Sequence, residues 1–329
     1  MRGYRYIVFL AVFLCACQST VEEWHQPVVR CSDAPMALTS SACFVYNGQG
    51  YVFGGRTLGG ELTNHLLRYD PVTDTWTDLG TTPLKPRVRA RAVCVGEEVF
   101  IGLGFNGHVL EDSAYLADWW KWTPATNTWD TVRSYPSTRT VGPVVVTDGT
   151  YIYAADGGRQ NFERWIFRYS IADDAWEQLK DGVPRMANYP PRAHSACGAM
   201  CQGRFFLGAG YTRDGSSDFW TEAEVREDSI VWHHCAELNG KRHNATATTD
   251  NTYIYLAGGH FYGGTVTNGE LYDDVLRYSP LEDHWIRLAH LPDGERENSI
   301  SWVIGSTLYI GLGNDMRNQP CAQLYRIAL

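Results

Sequence analysis

The chain has 329 residues, 13% of them aromatic and 20% charged, a mix that fits an all-β globular protein and excludes a disordered one. Its formal net charge of −9 becomes −11 if the first sixteen residues, with Arg2 and Arg5, are removed. That balance argues against a nucleic-acid partner, because phosphate neutralisation needs a basic face.

Arg2 and Arg5 open the chain, and Tyr6 to Ala16 is an apolar stretch too short to span a bilayer but suited to a secretory signal. Leu14-Cys15-Ala16-Cys17 resembles a bacterial lipobox. The resemblance implies a signal peptide over 1–16, a lipid on Cys17 and a tether over 17–23, with Gln18 pointing to the outer membrane. The alternative is an ordinary secretory signal cut nearby. An oxidising compartment opens disulfides to Cys31, Cys43, Cys94, Cys197, Cys201, Cys235 and Cys321, an odd set that leaves at least one free. Cys197 and Cys201 lie four apart on one strand, roughly 13 Å, too far for a bridge.

From residue 24 onward a repeat governs the sequence. Trp24, Trp76, Trp129, Trp176, Trp232 and Trp285 follow at intervals of 52, 53, 47, 56 and 53 residues, the period of a repeat array. Glycine clusters precede five of them: Gly54-Gly55, Gly102-Leu103-Gly104, Gly157-Gly158, Gly208-Ala209-Gly210 and Gly258-Gly259. Gly311-Leu312-Gly313 forms a sixth. Seven residues before the Trp stands an aromatic in four repeats (Tyr69, Trp122, Tyr169, Tyr278), whereas the fourth repeat has Val225. Each unit reads as four short strands bounded by Gly, Asp and Asn turns, an antiparallel meander.

Tyr69-Asp70-Pro71-Val72-Thr73-Asp74-Thr75-Trp76, with the Gly pair before it, resembles the Kelch-repeat family, and the likeness runs from Trp24 to Leu329. It implies a six-bladed β-propeller over residues 24–329. The last repeat stops at Leu324-Tyr325-Arg326-Ile327, in the third-strand position, while Trp24 to Pro35 resembles a fourth strand and its exit. The N-terminal strand is therefore expected to complete blade six and remove an open edge. Cys31 and Cys321 would then meet on one face of that blade, a candidate disulfide across the seam.

Two sets of loops share one face of a propeller, and loops on a rigid scaffold carry function. The inter-blade connections supply Arg87, Arg139, Arg192, Arg242 and Arg296, with Leu38 in blade one. Arginines converging on an axis can clamp a carboxylate or phosphate; equally, each can pair with a neighbouring acid and brace the ring. The loops between second and third strands carry Phe105 and His108, Phe162 and Trp165, Tyr211 and Arg213, Phe219 and Trp220, His260 and Tyr262, and Asn314 and Arg317. Such aromatics beside polar groups suit a sugar, or else fold down as satellite cores, the better reading for Trp165 and Trp220.

Metal and nucleophilic chemistry find little support: His233 and His234 point to opposite faces of a strand, and no zinc spacing or Gly-x-Ser-x-Gly element occurs. No cofactor is expected. The chain is also distantly similar to bacterial sialic-acid mutarotases, Kelch propellers whose proposed acid–base pair is a Glu and an Arg over the channel. Their Asn-Gly-Glu motif is missing: blade four reads Gly208-Ala209-Gly210-Tyr211-Thr212-Arg213-Asp214, with an Arg but no Glu. The leading expectation is a monomeric outer-membrane lipoprotein that meets the membrane only through its lipid and binds a saccharide or anionic small ligand at the channel mouth. The alternatives are a sugar mutarotase and a protein-interaction scaffold.

Overall fold

The computed structural model describes residues 22–107, 111–136, 140, 142–155, 157, 166–181, 193–262 and 269–329. The expected signal, Cys17, His108, Arg139, Phe162, Trp165 and Arg192 lie outside the described residues.

Six four-stranded antiparallel meanders succeed one another along the chain. Blade one consists of Ala42–Tyr46, Gln49–Thr57, Leu62–Asp70 and Thr75–Thr81. Blade two uses Arg91–Val95, Glu98–Gly102, Trp119–Thr123 and Thr128–Val132. Blade three uses Val144–Thr147, Tyr151–Ala155, Ile166–Ser170 and Ala175–Gln178. Blade four is Cys197–Cys201, Arg204–Gly208, Trp220–Val225 and Ser229–His234. Blade five is Thr246–Thr249, Ile254–Ala257, Asp274–Ser279 and His284–His290. Blade six takes Ile300–Ile304, Thr307–Gly311 and Leu324–Ala328, and its outer strand is the N-terminal Val28–Arg30. The first strand of each blade touches those of both neighbours, so the ring closes around a channel.

Closure follows the expected route but in a shifted register. Val28 pairs with Ile327, where blade one pairs Trp76 with Tyr69; Val28 thus holds the tryptophan position of blade six. Trp24 lies upstream, against blade five: its N–H donates to the Arg287 carbonyl (2.7 Å) and Arg277 covers its ring. The seam continues past the strand through Cys31 N–H to Leu324 O (2.9 Å), Ala34 N–H to Ala322 O (2.8 Å) and Leu38 N–H to Cys321 O (3.1 Å). Cys31 and Cys321 are both free thiols, so the candidate bridge is not formed. Cys31 is buried in the core between blades six and one, while the Cys321 thiol donates to the Gln319 carbonyl (3.5 Å). Backbone hydrogen bonds, not a disulfide, hold the two segments.

The core is divided into six apolar clusters, each lying between two blades. The repeated Tyr, Asp and Trp explain three of these junctions. Tyr69, Tyr169 and Tyr278 donate to Asp74, Asp174 and Asp283 at 2.7, 2.7 and 2.6 Å. The same carboxylates accept the backbone N–H of Ser32, Arg133 and Ala236 from the preceding blade's exit. The indole N–H groups of Trp76, Trp176 and Trp285 then donate to the carbonyls of those same three residues, each at 2.9 Å. A motif written inside one repeat therefore clasps the blade before it.

The glycines stitch in the other direction. Gly55 N–H donates to the Arg87 carbonyl (2.8 Å) and Gly259 N–H to the Arg296 carbonyl (2.7 Å) of the following blade. Both glycines have φ of +107, a conformation closed to larger residues, and a side chain would strike the neighbouring backbone.

Candidate functional site: the channel mouth

Just past each of these stitches the chain turns onto the axis. Ser40, Arg89, Gly142, Ser195, Asn244 and Asn298 all take left-handed backbone, with φ between +53 and +59. Asn tolerates this region; an Arg there costs about 1–2 kcal/mol. Backbone bonds link the turns into a belt: Ser40 N–H to Asn298 O (3.1 Å), Arg89 to Ser40 (2.7 Å), Asn244 to Ser195 (3.0 Å) and Asn298 to Asn244 (2.9 Å).

The belt's side chains close the neck of the channel. Arg89 reaches across to Ser195 Oγ (2.6 Å) and Asn244 Oδ1 (3.2 Å), and Asn244 Nδ2 donates to Glu297 Oε2 (2.7 Å). Below it Arg91 donates to the Pro143 carbonyl (2.5 Å) inside a channel of about 260 Å³. Two guanidinium groups thus follow one another down the centre of an acidic protein. Burial lowers the pKa of Arg89, with Glu297 opposing, and burial plus the Arg89 charge lowers that of Arg91 to about 10. Both remain cations at neutral pH. The channel thiols Cys43 and Cys197 are pushed up by burial to about 11 and about 12, so they are neutral and inert there.

One residue before each belt position, a second tier rises. Thr39 pairs with Arg56, Val88 with Phe105, His194 with Tyr211, His243 with His260 and Glu297 with Asn314, each as an antiparallel bridge within its blade. Bridge partners share a face, so His194 stacks on Tyr211 (centroids 5.3 Å) and His243 on His260 (5.1 Å). Between the tiers lies a cavity of about 560 Å³ lined by Arg89, Glu297, Asn298, Asn314, Phe105 and Tyr115, among others. Two buried polar atoms on its wall, Thr39 Oγ1 and Asn314 Oδ1, lack a hydrogen-bond partner among the described residues. His243 is lowered to about 4 by burial and by neighbouring His260, so it is neutral. Burial pushes Glu297 up, but the His260 imidazole and the Asn244 amide outweigh it and hold the carboxyl below its usual range.

Of the two readings of the ring arginines, the three described ones follow bracing, which corrects their candidacy as ligand clamps. Arg87 and Arg242 are fully buried and bidentate to Asp118 (2.7 and 2.8 Å) and Asp274 (2.5 and 3.0 Å) of their own blades. Arg296 is buried against Gln323 and Tyr325. All three are braces. Tyr211, His260 and Tyr262 come together, with the Tyr211 ring 6.2 Å from that of Tyr262, but none of the three lines the mouth cavity. Arg213 is exposed at the tip of a small hairpin, beside the Thr212–Gly215 pair. Trp220 is core, packed on Tyr278 and Trp285. The residues that sequence reasoning missed are Arg89, Glu297, His194, His243, Asn244 and Asn298. Their signal was available, because they fall at matching repeat positions, one or two residues past the brace position, which in blade four holds Ala193.

Fold and site together define a closed β-propeller with a polar mouth of ligand size on its axis. The chain belongs to the Kelch-repeat proteins: it matches the KLHDC2/KLHL20/DRC7 Kelch-repeats domain over residues 11–210 and a Kelch motif over 241–292. It is similar to Kelch domain-containing protein 1 of Mus musculus, 29% identical over 121 residues, 35% of this chain and 28% of that protein. It is also similar to Kelch-like protein terF of Aspergillus terreus, 24% identical over 256 residues, 75% of this chain and 54% of that one. The chain thus spans only about a quarter to a half of the curated relatives it matches. Among solved structures, that of YjhT matches with a TM-score of 0.75 at 14% identity, covering 91% of this chain and 97% of the other, a likeness of fold.

Proposed function

We propose that the channel mouth binds a small saccharide carrying a carboxylate, and that the chain serves as a binding module of the cell envelope, tethered through Cys17. The observation that carries this reading is Arg89, a cation held in strained backbone on the axis, with its guanidinium at the floor of the mouth cavity. A carboxylate takes the guanidinium charge. Hydroxyls suit the amides of Asn298 and Asn318, and an apolar sugar face suits Phe105 and Tyr115. A thermal-shift panel tests it. Sugar acids such as sialic acid and glucuronate should raise the melting temperature, neutral hexoses should do so less, and Arg89→Ala should erase the difference. No shift with any sugar, as a protein-interaction scaffold would give, refutes it.

A second reading is favoured by one observation: Glu297 and Arg89 line the same cavity, so a sugar bound there would meet both a carboxylate and a guanidinium. That pair has the chemistry of a mutarotase, though at other repeat positions than the sequence resemblance implied. NMR of freshly released sialic acid would show anomers equilibrating faster with micromolar protein and not with Glu297→Gln; no acceleration by the native chain rejects this reading.

A further inference from the structure

The topology brings together three ligand-bearing side chains that sequence spacing keeps apart. His243 lies on the connection into blade five, His260 in that blade's second-to-third-strand loop, and Glu297 on the connection into blade six. One ligand atom from each lies within 4.8 Å of the other two, all three residues are half-buried, and Glu297 also lines the mouth cavity. We propose that His243, His260 and Glu297 form a binding site for a divalent transition-metal ion, zinc by preference, with its open coordination position toward the mouth cavity.

The surroundings select one nitrogen on each imidazole. His243 Nδ1 lies 2.9 Å from Ser216 Oγ. That hydroxyl has the His260 and Tyr262 carbonyls in reach for its own proton, so it is free to accept the Nδ1 hydrogen. Holding Nδ1–H fixes the tautomer and leaves the Nε2 lone pair exposed, the outer-shell arrangement that orients metal-bound histidines. On His260, Nε2 lies on the side of Gly269, where a side chain would strike it, and Nδ1 is the nitrogen that approaches the carboxylate. His260 Nδ1 and Glu297 Oε2 stand 3.5 Å apart. That is long for a hydrogen bond but matches the edge, about 3.4 Å, of a tetrahedron with metal bonds near 2.1 Å. Asn244 Nδ2 steadies the same carboxylate.

Two histidines and a glutamate with a free fourth position are a donor set zinc accepts. The zinc site stands apart from any sugar at the mouth, since zinc alone is the probe. If a sugar does bind, an open zinc position facing it would take one of its oxygens.

The experiment is calorimetric titration of zinc into the full chain after chelator dialysis, with cobalt as an optical probe. One equivalent should bind, and the cobalt spectrum should lack a thiolate charge-transfer band. Ser216→Ala, which touches no metal, should weaken binding about tenfold or more. His260→Ala with Glu297→Gln should abolish it, while His233→Ala, at an exposed pair with Glu224, should leave it unchanged. Melting curves without metal show whether each variant is folded, and Ser216→Ala carries the test if the ligand variants are not. No zinc binding at micromolar protein overturns the proposal. So does zinc binding that the folded variants leave intact, or a cobalt spectrum dominated by thiolate.

Discussion

Arg242→Ala separates a brace from a clamp. All five of its N–H donors are used: Nε on Gly240 O, Nη1 on Gly258 O and Asp274 Oδ1, Nη2 on Asn239 O and Asp274 Oδ2. Its guanidinium also lies 3.8 Å from the Tyr272 ring centre. The partner carboxylate is only 5% exposed, so truncation strands a buried charge, a loss of about 3–5 kcal/mol. At about 2 °C per kcal/mol for a chain this size, the melting temperature should fall by roughly 6–10 °C. Arg87→Ala should cost less, about 1.5–3 kcal/mol, because Asp118 is 35% exposed and keeps a bond from the Trp120 indole. Replacing both members, Arg242→Met with Asp274→Leu, should restore much of the stability. Urea unfolding of the three variants beside the native chain gives the comparison. If Arg242→Ala stays within about 0.5 kcal/mol of the native chain, the usual range of an inert surface change, the bracing argument is wrong.

Arg89→Gly should keep the melting temperature near native, since blade three already has Gly142 at that turn, while removing any preference for sugar acids in the thermal-shift panel. Trp285→Ala should cost about 3–5 kcal/mol in denaturant unfolding, because the ring is 4% exposed against Trp220 and Tyr278. Gly208→Ala should cost about 1–3 kcal/mol by the same measurement, since the new methyl would run into the Phe219 carbonyl and the Trp220 ring. Asp74 and Asp174 titrate below the ordinary carboxylate range: burial pushes them up, and the backbone N–H groups of Ser32 and Arg133 with the tyrosine hydroxyls more than compensate. Their contribution is therefore present above the unfolded-state pKa near 4 and lost as pH falls through the lower folded-state value. Asp74→Asn with Asp174→Asn should flatten the acid limb of a stability–pH curve; an unchanged limb would show that these clasps do not drive acid unfolding.

The propeller was legible because its determinants are local and repeated. Tyr69, Asp74 and Trp76 sit within eight residues and recur with the fold's own period. Trp24 misled for the same reason: it falls within the scatter of that period, while the residue that takes the tryptophan position, Val28, has no aromatic signature. The mouth was less legible because charge alone does not reveal whether a partner exists. Arg87 and Arg89 are two residues apart, yet one meets Asp118 inside its blade and the other faces the axis. The acid lies 31 residues after Arg87 and 32 after Arg242, a matching offset that marks both as braces once it is sought. His243 and His260 meet as a bridge within blade five, but Glu297 joins them only because the ring juxtaposes adjacent blades, which no spacing within one repeat encodes.

A crystal structure of the chain grown with a saturating sugar acid tests the central claim most directly. Density should fill the mouth cavity, with the carboxylate within hydrogen-bonding distance of the Arg89 guanidinium and the ring near Phe105 and Tyr115. Density on the outer blade edges or the opposite face, or an empty mouth at saturation, would contradict the account.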